Sequence, residues 1–289
     1  MLALLPPLSQ PPRRIVSLVP SLTEALFAFG LGDRVVGVTD YCLEPQPAVR
    51  SKLTIGGTKN PDVQAILRLA PDLVVANVEE NRREDVTFLQ AQGMPVFICF
   101  PQTVSDAIAT LRALAQVTGA EAPALPVIAR IETAYQETKS LTNGRQPVRL
   151  FCPIWKNPWM TINRHTFIHD MLATCGGTNI FAERERRFPL AADLGQSPPS
   201  EPARVEGRDR RYPRVTLEEM ANLRPEVIVL PDEPYPFTEA DKADFSRFSQ
   251  VPAVRVGRIY VVDGKMVCWY WSRMDESLRA LQGLLFNEG

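Results

Sequence analysis

The chain has 289 residues, 45% of them hydrophobic and 22% charged, with a formal net charge of −1. That length holds two ordinary domains and the composition is that of a globular protein, while the near-zero charge argues against the basic footprint of a nucleic-acid binder. No apolar run reaches the roughly 18 residues of a membrane span, and five scattered cysteines without a Cys-x-x-Cys pair argue against a disulfide framework or a structural zinc site.

The leader Met1-Leu2-Ala3-Leu4-Leu5-Pro6-Pro7 lacks a basic n-region and is broken early by Pro6, so it does not read as an export signal. Arg14 to Val19 reads as a strand. Pro20-Ser21-Leu22-Thr23-Glu24 then opens a helix, with Ser21 as N-cap, Glu24 completing a capping box and Gly30 as the stop. A strand at Val35–Val38, a loop from Asp40-Tyr41-Cys42, a helix from Asp62, a strand at Leu73–Ala76, a helix at Arg82–Gln92 and a strand at Val96–Cys99 continue the series. Such alternation predicts an α/β lobe with a mostly parallel sheet, spanning 1–122. Two helical stretches follow, Val104–Val117 and Ala124–Leu141, with Pro126 placed in the first turn of the second. The second is the expected backbone helix (123–145), stiff enough to limit lobe motion.

A second α/β lobe (146–289) begins with a strand at Val148–Phe151. Its helix Thr166–Thr174 is stopped by Gly176-Gly177, and Thr216–Leu223 and Val227–Leu230 form a helix and strand. The strand Ile259–Val262, a hairpin-like Val262–Met266 and a helix Asp275–Phe286 close it. Between them, 183–214 carries Pro198-Pro199 and eight arginines interspersed with acids, and reads as a long, exposed, mobile insertion.

The stretch Leu69-Ala70-Pro71-Asp72-Leu73-Val74-Val75-Ala76 returns as Leu223-Arg224-Pro225-Glu226-Val227-Ile228-Val229-Leu230. In each copy a proline and an acid stop a helix and a β-branched run begins a buried strand. The copies lie much further apart than the ~20–50-residue period of a solenoid. They predict two similar lobes facing across a ligand cleft.

All four tryptophans fall in two of three aromatic loops. Ile154-Trp155-Lys156-Asn157-Pro158-Trp159 follows the first strand of lobe two, Asp232-Glu233-Pro234-Tyr235-Pro236-Phe237 the second, and Cys268-Trp269-Tyr270-Trp271-Ser272-Arg273 lies beyond the third. Ligands of open α/β sheets collect at the carboxyl ends of strands. These loops, with Tyr41 from lobe one, are therefore expected to line one pocket, Arg164 and Arg273 meeting a carboxylate or phosphate on the ligand. The simpler reading is that the aromatics cap the core. The two histidines, His165 and His169, have metal-ligand spacing, but Thr166 as N-cap leaves His165 outside the helix, so no metal site is expected. No nucleophile elbow, phosphate loop or zincin motif is present, and no catalytic residue is assigned.

Several motifs carry a family resemblance. They are Arg14-Ile15-Val16-Ser17-Leu18-Val19-Pro20-Ser21-Leu22-Thr23-Glu24, Val36-Gly37-Val38-Thr39-Asp40-Tyr41, Leu69-Ala70-Pro71-Asp72-Leu73-Val74, Gly176-Gly177-Thr178-Asn179-Ile180-Phe181 and Tyr212-Pro213-Arg214-Val215-Thr216-Leu217-Glu218-Glu219. With them the chain resembles the substrate-binding proteins of ABC importers for cobalamin, ferric siderophores and haem, closest to the cobalamin branch. The resemblance implies two lobes on one long helix with little movement on binding, a monomer outside the cytoplasm, and an ABC permease as partner. It implies a metal chelate such as cobalamin as ligand, clamped by Tyr41, with no resident cofactor. Family tryptophans correspond to Thr58 and Tyr212 here. Permease docking through one glutamate per lobe maps to Glu218 and, in lobe one, to Gln64 with Asp62 nearby. Haem or a ferric siderophore is the alternative ligand. A cytoplasmic enzyme or a sensor using the same cleft is the alternative class.

Overall fold

A computed structural model describes residues 8–286. The leader 1–7 and the tail 287–289 lie outside the described residues, so the reading of the leader as no export signal does too. The chain forms two compact units, Met1–Thr133 with Tyr270–Asp275, and Ala134–Trp269 with Glu276–Gly289. The fold is α/β, as the alternation predicts.

In the first unit, β1 (Ile15–Ser17), α1 (Pro20–Ala28), β2 (Val35–Val38), β3 (Leu53–Thr54), α2 (Val63–Leu69), β4 (Leu73–Asn77), α3 (Arg83–Ala91), β5 (Val96–Cys99) and α4 (Val104–Thr118) follow in turn. The five strands are parallel in the order β3-β2-β1-β4-β5. Strand β4 is buried along its whole length, which explains its unbroken Leu-Val-Val-Ala run. The chain changes unit inside α5 (Glu121–Thr142).

The second unit contains β6 (Val148–Phe151), β7 (Pro153–Trp155), β8 (Met160–Thr161), α6 (Phe167–Thr174), β9 (Gly177–Asn179), α7 (Leu190–Asp193), α8 (Leu217–Leu223), β10 (Val227–Pro231), α9 (Pro252–Arg255), β11 (Ile259–Val262) and α10 (Lys265–Cys268). Its main sheet is parallel in the order β11-β10-β6-β9, and β7 and β8 form a small antiparallel pair. The terminal helix α11 (Met274–Phe286) starts in the segment assigned to the first unit and ends in the second.

The internal repeat is structural. Helix α2 ends at Ala70 and α8 at Arg224, both in the left-handed conformation (φ 43° and 49°), and β4 and β10 follow. The acid after each proline has a task the sequence did not show. Asp72 accepts the N–H groups of Arg13 and Arg14, each at 2.8 Å, and Glu226 accepts that of Arg149 at 2.9 Å. Arg14 donates its guanidinium to the Leu69 carbonyl, and Arg149 does the same to Leu223. In both units one arginine and one carboxylate staple the end of a helix to the start of a neighbouring strand, satisfying carbonyls that the helix leaves open.

Four local expectations need correction. Ser21 is not an N-cap: Pro20 occupies the first helical turn, Val19 takes the cap position, and no side chain caps α1. Proline's fixed φ suits that place, and Glu24 is engaged elsewhere. Pro126 lies inside α5, because the helix starts at Glu121. The hairpin expected at Val262–Met266 is a turn leading into α10. Finally, 183–214 is not a free loop. Phe188, Ala192, Asp193 and Val205 are buried within it. The Asp193 carboxylate, 0% exposed, accepts the N–H of Arg187 at 2.8 Å and that of Arg214 at 2.7 Å, clasping the two ends of the insertion together. Counting apolar residues underestimates order where one buried acid meets several backbone donors.

Candidate functional site

In the second unit the loops that follow β6 and β10 meet at the carboxyl end of the sheet. Trp155 packs edge-on against Tyr235 (5.5 Å between ring centroids, 74°), and Tyr235 against Phe237 at 4.6 Å. Trp159 stacks on Phe237 at 5.8 Å and 11°, and meets Phe245 at 5.5 Å. The array grades from core to surface: Phe237 and Phe245 are buried, Tyr235 and Trp159 half-buried, and Trp155 is 41% exposed. A large aromatic held outward by a packed base is a ready-made face for a flat apolar ligand.

Lys156, between the two tryptophans, fixes this array. Its ammonium donates to Asp241 at 2.5 Å and Asp244 at 2.8 Å and lies 6.0 Å from the Trp159 ring centroid. Asp241 also accepts the backbone N–H and the hydroxyl of Thr238, capping the 3-10 helix Glu239–Phe245. The lysine thus ties the Trp155–Trp159 turn to the element that follows Phe237. Its hydrogen bonds to the two aspartates raise the Lys156 pKa. Burial opposes ionisation of Asp241, but the bonds from Lys156 and Thr238 outweigh it and lower its pKa. A depressed carboxyl contributes stability above its unfolded pKa and loses it as pH falls through the folded one. Lys156→Met should therefore cost about 2 kcal/mol at neutral pH, because it removes the cation paired with Asp241 and leaves that carboxylate only its bonds from Thr238. The gap to the parent in urea melts should close in strong acid.

On the other side of β10, the Trp269 indole N–H donates to Glu233 at 3.0 Å, and the Lys265 ammonium lies 5.6 Å from the Trp269 centroid. Asp232 accepts the Gly264 N–H at 2.7 Å. A Cβ at Gly264 would fall 2.6 Å from both the Cβ and the backbone nitrogen of Glu233, so the two loops approach as closely as only glycine allows. Burial raises the Glu233 carboxyl pKa, opposed by the Trp269 bond and Lys265.

The third aromatic loop is divided between units. Trp269 belongs to the second, whereas Tyr270, Trp271 and Arg273 belong to the first. Tyr270 and Trp271 are buried. The Tyr270 pKa is raised chiefly by burial and further by Cys99 and Glu80, with Ser21 opposing. Arg273 stacks on Trp271 at 4.1 Å and donates to Glu24 at 3.0 and 3.2 Å, where Ser272 also donates at 2.9 Å. Arg130 completes the clasp by donating to Asp275 at 2.7 Å. Tyr270 and Trp271 are thus core residues, and Arg273 is anchored to Glu24 of α1.

Tyr41 stands after β2 in the first unit, 63% exposed, resting on Gly57. Around it the strand-end turns are pinned by two asparagines that sequence reasoning missed. Asn77 accepts the N–H groups of Glu79 and Glu80, and Asn81 donates to the carbonyls of Leu18 and Thr58. An asparagine at a strand end was the available signal. Tyr212 is half-buried, with the Arg211 guanidinium over its ring at 5.2 Å. Arg164 is exposed and paired with Glu183 at 2.8 Å. Asp62 caps α2 through the Ala65 N–H, and Glu218 is exposed but paired with Arg247 at 2.7 Å. Thr166 caps α6. Among the described residues no group of three or more His, Cys, Asp or Glu side chains is placed to hold a metal ion, and no helix is long and apolar enough to cross a membrane.

Each unit is an α/β fold built on a parallel main sheet. Residues 15–266 match the family described as "Periplasmic binding protein", and the chain belongs to that family. It is similar to the vitamin B12-binding protein of Yersinia pestis (strain Pestoides F), 28% identical over 222 residues, which cover 77% of this chain and 70% of that one. Among solved structures it is similar to the periplasmic vitamin B12 binding protein BtuF of Vibrio cholerae, with a TM-score of 0.76 and 22% identity over 95% of this chain and 97% of that one. The apo periplasmic heme-binding protein RhuT from Roseiflexus sp. RS-1 gives 0.74 and 21%, over 95% and 98%. At these identities the solved structures speak for the fold.

Proposed function

We propose that the chain is the extracytoplasmic substrate-binding component of an ABC-type importer, and that its ligand is a metal chelate, a corrinoid such as cobalamin first. The observation that supports this most is Trp155, held outward on the Tyr235–Phe237–Trp159 stack at the carboxyl end of a parallel sheet. Family membership and the vitamin B12-binding relative point the same way. Rigid aromatics supply apolar contact at little entropic cost, and the metal enters as part of the ligand. Haem is the second reading, favoured by the exposed Tyr41 phenol, a group able to ligate haem iron. Titrating cyanocobalamin, haemin and a ferric catecholate while following tryptophan fluorescence tests the reading. Saturable 1:1 quenching by one of them is expected. No saturable binding by any would refute it.

The acid proposed to dock a permease in the second unit is Glu218, with Asp62 in the first. Complementary charge registers such partners, and Arg247 now holds Glu218. Glu218→Ala should weaken permease association with ligand affinity unchanged, and Arg247→Ala should strengthen it. Loss of ligand affinity in Glu218→Ala would instead place that residue in the ligand site.

A further inference from the structure

Beside the aromatic face lies the Glu233 carboxylate, which accepts the Trp269 indole N–H at 3.0 Å. Sheet order places the β10 loop in the middle, with the segment after β11 on one side and the segment after β6 on the other. Glu233 therefore stands between Trp269, which donates to its Oε2, and the Trp155–Tyr235 pair two residues along its own loop. The close approach of Gly264 and the Asp232 bond to the Gly264 N–H fix this loop. Neighbouring charges are Asp232, Asp263 and Lys265, so the locality is net acidic.

We infer that Glu233 is a specificity-determining residue, accepting a hydrogen bond from a carboxamide N–H on the rim of the chelate and rejecting carboxylate-rimmed chelates. The inference rests on the aromatic-face reading and narrows its substrate class. A carboxylate is acceptor-only, so it pairs with an amide donor and repels a second carboxylate. Burial raises its pKa, and the Trp269 bond and Lys265 oppose that rise; the anion is the state that discriminates.

The test compares cyanocobalamin with its monocarboxylates, in which one rim amide is hydrolysed to an acid, and with haemin, which carries two propionates. The protein is the full chain, parent and Glu233→Gln, checked by thermal melting. Glutamine keeps an acceptor for Trp269 and removes the charge. The parent should bind at least one monocarboxylate about tenfold or more weakly than the parent ligand and prefer cyanocobalamin to haemin. Glu233→Gln should largely erase both differences. Ratios that stay the same in Glu233→Gln, or a parent that prefers haemin, would overturn the assignment of Glu233 alone. A parent that binds none of these chelates would overturn the aromatic-face reading and Glu233 with it. Glu233→Asp, which keeps the charge, is the second variant: retained discrimination supports the assignment, and its loss with Trp269 emission unchanged counts against it.

Discussion

Asp193→Ala should lower the stability of the second unit by about 3 kcal/mol, a large effect for a single polar residue. The side chain is wholly buried, and its oxygens receive the N–H groups of Arg187 and Arg214, with the Arg184 guanidinium 3.8 Å away. Alanine leaves two backbone donors without their acceptor and a half-buried guanidinium beside a void, and orphaned buried donors cost more than the bonds contribute. The insertion they clasp carries eight arginines. Trypsin should therefore cut within 183–214 much faster in the variant, alongside a lower urea midpoint. Glu183→Ala is the control: its partner Arg164 is exposed, so the change should stay within about 0.5 kcal/mol. Equal proteolysis of the two variants would show that Asp193 is not the clasp.

Trp155→Ala should have the largest effect on binding. Trp155 is 41% exposed and packs in a T-shape on Tyr235 at the outer end of the array, so its removal spares the buried Phe237 and Phe245. A central aromatic anchor typically contributes 2 kcal/mol or more to an interface, so chelate affinity should fall about 30-fold or more while the melting temperature barely moves. Phe237→Ala must behave differently. It is 2% exposed beneath Trp159, and truncating it should cost about 3–5 kcal/mol of stability. A Trp155→Ala protein that binds as the parent does would remove Trp155 from the site.

Much of the fold was legible because its signals are local. Proline followed by an acid, then a β-branched run, marks α2–β4 and α8–β10 within a few residues, and the loops after β6 and β10 announce themselves by composition. The less legible features depend on partners remote in sequence. Lys156 meets Asp241 and Asp244, Glu24 meets Arg273, and Asp193 joins Arg187 to Arg214. Nothing near Ser21 reveals that Glu24 is claimed from position 273, so a capping box was the natural local reading. The Cys268–Arg273 run reads as one aromatic loop because residues adjacent in sequence are presumed to share an environment. The structure gives Trp269 to one unit and Tyr270 onward to the other.

The most direct measurement is anomalous diffraction at the cobalt edge from crystals grown with cyanocobalamin. One strong cobalt site per chain is expected, with the corrin ring in contact with Trp155 and Tyr235. Cobalt sites only elsewhere on the chain, with the Trp155 ring left in solvent, would contradict the account.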